Sequence, residues 1–215
     1  MEIPIFPLNA VLFPGAVLPL HIFEERYKLM ISHCLEGDGL FGAVLIRVGS
    51  EVGEPAQPFS VGTTARIVHV QKLADARMNI VSVGDQRFRI LKLVRTEPYL
   101  VARVEMLECE GDGGSLAELA DTTASLFAEY YRLFLALSGQ WTRTIGMPQE
   151  AATVADFVAS RLSLSLWAKQ RLLETLSVRR RLETEVTILS ETIRDLTRRV
   201  ALTQVQKRYA VAALN

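Results

Sequence analysis

The stretch from Ile3 to Tyr27, IPIFPLNAVLFPGAVLPLHIFEERY, constrains this chain more than any other. It is an apolar run punctuated by prolines that ends in acidic, basic and aromatic residues. Pro14 and Gly15 suit the second and third positions of a type II turn, where proline presets φ and glycine tolerates the positive φ that follows. Pro7 and Pro19 lack backbone donors and so belong on edge strands or at strand ends. The pattern predicts two short strands around a Pro-Gly turn that feed directly into an amphipathic helix. In that helix Phe23, Tyr27, Met30 or Ile31, and Cys34 recur at helical spacing, and Gly37 and Gly39 end it.

From there to about Cys109 the grammar is mainly β. FGAVLIRVG (41–49) reads as a near-continuous apolar strand, and FSVGTTARIVHVQKL (59–73) alternates through Ala65, Ile67, Val68 and Val70. MNIVSVG (78–84), RFRILKLV (87–94) and YLVARVEML (99–107) alternate with period two and are rich in β-branched residues. Several short strands separated by turn signals point to a barrel or a sandwich. After Glu110, GDGG (111–114) reads as a flexible joint, with Ser115 as N-cap and Glu118 completing a capping box. Helical patterns follow: 116–137, stopped by Ser138-Gly139, then 151–162 after Pro148, then 165–176, then Val178 toward Arg208. In the last, Leu182, Val186, Leu189, Ile193, Leu196 and Val200 form a heptad-like seam. The expectation is a β domain over 1–110 and a helical bundle over 115–210 with a long C-terminal helix.

Charge narrows the function classes. Across 215 residues, 24 basic side chains balance 24 acidic ones. Neutrality argues against a dedicated nucleic-acid binder, whose affinity rests on a basic footprint. No uninterrupted apolar stretch approaches the roughly eighteen residues of a membrane span, and the N-terminus lacks the basic region of a signal peptide. Cys34 and Cys109 are far apart and outside any CxxC spacing, which fits a reducing, cytoplasmic compartment.

No constellation of catalytic type emerges. His21 with Glu24 and Glu25 lacks the further histidine a zinc site needs, and the two glutamates instead complement the positive end of the helix dipole. His33 and Cys34 are adjacent on a helix and point about 100° apart, and Cys34 falls on the apolar stripe as a small hydrophobe. Glu24-Glu25 and the pair Glu51 and Glu54 read as solvated surface. From Val178 to Arg208 eight basic residues face four acidic ones, an excess that suits a solvated helix face better than phosphate tracking. No cofactor, metal or catalytic residue is expected. Phe13, at the tip of the first turn, is the candidate exposed apolar contact, with Arg26 and Lys28 at the helix start as cations that steer acidic or main-chain carbonyl groups. These three form the expected polypeptide-binding surface.

Several strings in order carry a family resemblance. PLHIFEERY (19–27), VGTTARIVHVQ (61–71), VGDQRFRI (83–90), YLVARVE (99–105) and ADFVASRLSLSLWAKQRLLETLSVRRRLE (155–183) together strongly resemble the Lon substrate-binding domain, the N-terminal domain of the bacterial ATP-dependent protease Lon. The resemblance implies an α+β fold, with a PUA-like β pseudo-barrel holding one early helix and then a helical bundle. It implies substrate handling without chemistry. No G-x-x-x-x-G-K-[ST] phosphate loop occurs, and the sequence has no ATPase or Ser-Lys peptidase module after the bundle, so the expectation is the substrate-handling part alone.

The leading functional expectation is therefore a non-enzymatic module that recognises unfolded or flexible polypeptide by shallow apolar contact and main-chain pairing at an open strand edge, with a protease or chaperone as a further partner. A PUA-like RNA-binding protein is the alternative from the fold analogy. The sequence does not specify the oligomeric state.

Overall fold

Residues 13–16 make the turn that proline and glycine prescribe: the Ala16 amide donates to the Phe13 carbonyl at 3.0 Å, and Gly15 sits at φ +73°. In this computed structural model, which describes residues 1–50, 57–110, 115–137, 140 and 145–212, with 204–212 as backbone only, the protein is α+β. The turn joins β1 (Glu2–Leu8) to β2 (Val17–Ile22), and α1 (Glu25–Glu36) follows. Then come β3 (Leu40–Val48), β4 (Gln57–Pro58), β5 (Val61–Lys72), β6 (Met78–Arg95) and β7 (Leu100–Met106). The helices α2 (Ala117–Leu137), α3 (Ala151–Arg161), α4 (Leu166–Glu174) and α5 (Val178–Ala212) complete the described chain.

The sheet is mostly antiparallel and closes on itself. Its order is β1-β7-β6-β5-β3-β4, and β1 also pairs in parallel with β3, so that β1, β7, β6, β5 and β3 form a ring. Ring closure removes free edges from those strands wherever both neighbours are present. Two strands hang from the ring: β4 on β3, and β2 on the first half of β6. Pro19 accordingly lies on an edge strand, and Pro7 lies in the part of β1 that pairs with β3 but has passed beyond β7.

The separate strands expected over 78–84 and 87–94 are one continuous strand, β6. Gly84 does not turn the chain. It is the point at which the Phe13–Ala16 turn crosses the strand, and a Cβ built there would lie 2.3 Å from the Phe13 carbonyl oxygen. The Gly15 amide donates to Gly84 O at 2.8 Å, and the Gly84 amide donates to Ala16 O at 2.9 Å. Glycine is needed here for close approach of two backbones rather than for a turn.

The chain forms two compact units, and the division differs from the expected split. The β unit takes in 1–110 and also Ala159–Leu176, the end of α3 and all of α4. Two buried polar contacts explain this: Gln170 Nε2 donates to Val61 O at 3.0 Å, and Arg87 Nε donates to Leu173 O at 3.0 Å. Leu172 and Leu173 pack with Phe13, Val61 and Leu107 in one apolar cluster. A second cluster holds α1 against the sheet through Tyr27, Met30, Ile31 and Cys34, with the rings of Phe6 and Tyr27 stacked 4.1 Å apart. Phe23 departs from the expected stripe. Helix α1 begins at Glu25 with Glu24 as its extended N-cap residue, so Phe23 lies before the first turn and is 50% exposed.

The other unit contains α2, α3 as far as Val158, and α5. Phe127 meets Phe157 edge-on at 5.8 Å. On α5, Leu182, Leu189 and Leu196 are buried while Val186, Ile193 and Val200 are half-buried, which is the expected seam. Arg181, fully buried, is ion-paired to Asp156. The expected joint at 111–114 and the stop at Ser138-Gly139 lie outside the described residues.

Two outcomes follow for stability. Phe13→Ala removes a fully buried ring and lowers the unfolding free energy by about 3–5 kcal/mol in denaturant titration. Arg181→Met strands the Asp156 carboxylate and costs a similar amount, about 3–5 kcal/mol; a loss below about 1 kcal/mol in either titration contradicts the packing described.

Candidate functional site

One open strand edge of the sheet is the outer side of β2. Among the described residues strand β2 pairs with β6 alone, in antiparallel register from Val17 opposite Val83 to Ile22 opposite Met78. Hydrogen-bonded and non-hydrogen-bonded pairs alternate along such a ladder. Because Gly84 bonds to Ala16, the main-chain groups of Leu18, Leu20 and Ile22 face β6, and those of Val17, Pro19 and His21 face away. Proline, which has no N–H, therefore occupies an outward position, as its chemistry requires. Among the described residues nothing hydrogen-bonds the outward amides of Val17 and His21.

Beside this edge lies a groove of about 220 Å³ between the end of β1 and β2. Phe6, Leu8, Leu20, Phe23 and Tyr27 give it an apolar lining, and Glu24 stands at its rim. His21 Nδ1 lies 2.7 Å from Asn79 Oδ1, a side-chain contact across to β6, and the His21 ring stacks toward Phe23 at 5.9 Å. The side chains of β2 alternate, with Leu18, Leu20 and Ile22 turned to the core and Val17, Pro19 and His21 more exposed.

The expected binding residues are placed differently. Phe13 is not an exposed anchor: its relative exposure is 0%, because the turn folds back over Gly84 and drives the ring onto Val61, Leu107, Leu172 and Leu173. Arg26 is ion-paired to Glu24 at 2.9 Å, with its guanidinium 4.6 Å from the Tyr27 ring centroid. Lys28 bridges Glu25 at 2.7 Å and the Asp75 carbonyl at 2.8 Å. That second bond ties α1 to the tight connection between β5 and β6, where Asp75 and Ala76 both have positive φ. Lys28 thus braces the fold, while Arg26 stays close to the groove through Glu24 and Tyr27.

A second concavity, about 650 Å³, lies beside β4. Phe59, Ile90, Leu93 and Leu100 supply apolar walls, and Arg47 and Gln57 supply polar groups. The other chemistry considered from sequence is dispersed. His33 Nδ1 lies 2.8 Å from the Tyr99 hydroxyl. Cys34 is buried, Cys109 is exposed, and neither is in a disulfide. Among the described residues no three His, Cys, Asp or Glu side chains gather as metal ligands, and no helix is long and apolar enough to cross a membrane.

These features define first a class: an α+β chain on a mostly antiparallel sheet, of the kind seen at the N-terminus of Lon proteases. Residues 2–191 match the family described as the ATP-dependent protease La (LON) substrate-binding domain, and the chain belongs to that family. It is 30% identical over 192 residues to the Lon protease of Anaeromyxobacter dehalogenans, and equally to Lon protease 2 of Myxococcus xanthus. Those alignments cover 87% of this chain but only 23% of each relative, so the chain spans about a quarter of the length of the Lon proteases it matches. The Lon N-terminal domain protein from Xanthomonas campestris superposes with a TM-score of 0.63 at 27% identity, over 87% of this chain and 98% of that one. The N-terminal domain of Mycobacterium avium complex Lon protease shares the fold, with a TM-score of 0.59 at 20% identity over 88% of this chain and 98% of that one.

Sequence reasoning missed the outward amides of Val17 and His21, the exposed Phe23 and the β4 cavity. Pro19 was the available signal for the first of these, since a proline inside an apolar strand marks an edge.

Burial, with a smaller contribution from the Asp38 carboxylate, pushes the Cys34 thiol from an ordinary 9.0 up to about 11. The folded state therefore holds its proton longer than the unfolded chain does, so stability falls as pH rises from about 9 toward about 11 and is unaffected by this group below that window. A disulfide-exchange reagent at pH 8 titrates Cys109 in the native protein and reaches Cys34 only on unfolding; two rapidly reacting thiols in the native state contradict the burial of Cys34.

Proposed function

We propose that this chain is a non-enzymatic polypeptide-recognition module, akin to the substrate-handling part of Lon, that adds an extended segment of a flexible or unfolded protein to the outer edge of β2. The reading is supported above all by the outward, unbonded amides of Val17 and His21 beside the apolar groove. An open strand edge offers main-chain hydrogen bonds to any extended chain, and a neighbouring groove selects among side chains. Phe6, Phe23 and Tyr27 provide apolar contact for alternate residues of the guest, and Glu24 with Arg26 sets the polarity at the rim. Family membership supports the same reading, since the matched region is the substrate-binding part of Lon rather than its ATPase or peptidase part. In this proposal the β ring is the PUA-like scaffold and the second unit the helical bundle of the family. The setting is cytoplasmic quality control, beside a protease or chaperone.

The test measures binding of a fluorescently labelled, reduced and carboxymethylated protein, which stays unfolded, by anisotropy. Two variants target exposed elements. Phe23→Asp places a charge in the groove, and His21→Pro deletes an outward donor without removing a main-chain β2–β6 bond, although it also removes the His21–Asn79 side-chain contact. Each weakens capture at least tenfold while shifting the melting temperature by only a few degrees. Wild-type affinity in both variants removes the edge from the site. Displacement of the polypeptide by a single-stranded RNA of similar length, with tighter RNA binding, replaces the proposal with the nucleic-acid alternative.

A further inference from the structure

We infer that the cavity beside β4 binds the carboxylate of an apolar monoanion, with Arg47 as its counter-charge. This does not rest on the strand-edge reading and concerns different residues. At about 650 Å³ the cavity is within the range of small-ligand sites, roughly 300–1,000 Å³. Its lining is asymmetric in charge. Arg47 is the one charged side chain among the described lining residues, and none of them is acidic.

Among the described residues Arg47 is also uncommitted to any acid. Its Nη2 donates to Gln57 Oε1 at 3.3 Å, a neutral contact that steadies the guanidinium without neutralising it, and no carboxylate among the described residues lies within ion-pair distance. Three other arginines at the surface of this sheet are ion-paired, Arg66 with Asp85, Arg89 with Glu105 and Arg103 with Glu2, and Arg95 lies over the Tyr99 ring. A guanidinium presents a fork that matches a carboxylate with two parallel bonds. One cation without a second beside it suits a monoanion better than a doubly charged phosphate group.

The rest of the cavity selects an apolar body. Phe59, Ile90, Leu93 and Leu100 form its walls. Phe59 is in turn met edge-on at 5.0 Å by Trp167, which does not line the cavity and is 62% exposed. Ser60 and Thr96 add neutral hydroxyls that can bond the second carboxylate oxygen or a linking amide. The ligand class is therefore an aliphatic or aromatic group ending in a carboxylate, supplied either as a free acid or as the C-terminal residue of a polypeptide with an apolar last side chain.

Calorimetric titration of the full chain with decanoate, decanol and decylamine, each below its micellar concentration, tests this without any substitution. Decanoate binds saturably at one site per chain, at least tenfold more tightly than decanol, and decylamine is weaker still. Arg47→Gln weakens decanoate at least tenfold and leaves decanol unchanged, and Leu93→Asp abolishes both. Arg47 and Leu93 are exposed, so both variants retain the wild-type melting temperature. A short peptide ending in Leu-Leu, offered with a free or an amidated C-terminus, separates the two sources. Preference for the free peptide acid over its amide assigns the site to chain ends, and binding of decanoate without either peptide assigns it to free acids. Absence of saturable decanoate binding, equal affinity for decanol, or unchanged affinity in Arg47→Gln overturns the inference.

Discussion

The β unit depends on one close crossing of two backbones. The Phe13–Ala16 turn lies directly on Gly84, with hydrogen bonds running both ways between the two segments. Thr63 Oγ1, fully buried in β5, donates to Leu12 O at 2.6 Å and fixes the approach to the turn from the other side. With the crossing in place, Phe13 points inward and becomes the floor against which Leu172 and Leu173 of α4 pack. The same crossing sets the pairing phase of β2 on β6 and so decides which amides of β2 face outward. Helix docking and the open edge are thus two outcomes of one contact.

That dependence explains what the sequence could and could not disclose. Strand and helix identity were legible from the sequence: the strands at 61–72 and 100–106, the alternation of the second, and the stripe of Tyr27, Met30, Ile31 and Cys34 reappear, while the first is buried throughout Val61–Ala65 and leaves Val68 exposed. Pro14-Gly15 was legible as a turn and Pro19 as an edge, because both depend on local backbone chemistry. Long-range coincidences were not legible. Nothing local says that Gly84 accommodates a backbone rather than a bend, so 78–95 reads as two strands. Nothing local tells Phe13 whether to face solvent or α4, since an aromatic beside a turn suits either. The membership of 159–176 in the β unit likewise rests on Gln170 and Arg87, two polar side chains that bond to backbone far along the chain.

The neutral total charge hides a strict local arrangement. Several basic groups of the β unit serve internal ends: Arg26 lies against Glu24 and Tyr27, Lys28 clasps the Asp75 turn, and Arg87 is buried against a helix carbonyl. In the helical unit, Arg181 with Asp156 places an ion pair inside the core, where removing either partner is far more disruptive than exchanging both for apolar groups. Against that background Arg47, which among the described residues bonds a glutamine and no carboxylate, stands out at the β4 cavity.

The proline in β2 has one further consequence. The outward side of the strand presents carbonyls at Val17, Pro19 and His21 but amides only at Val17 and His21, so the edge carries one donor fewer than it carries acceptors. Two copies brought edge to edge would oppose one acceptor-rich row to another and leave carbonyls without partners. A guest chain with its full complement of amides satisfies every outward carbonyl of β2 and leaves only its own carbonyl opposite Pro19 without a donor. The strand that is open to other polypeptides is thereby a poor template for itself, which is how a single missing proton donor can keep an exposed edge from becoming a route to self-association.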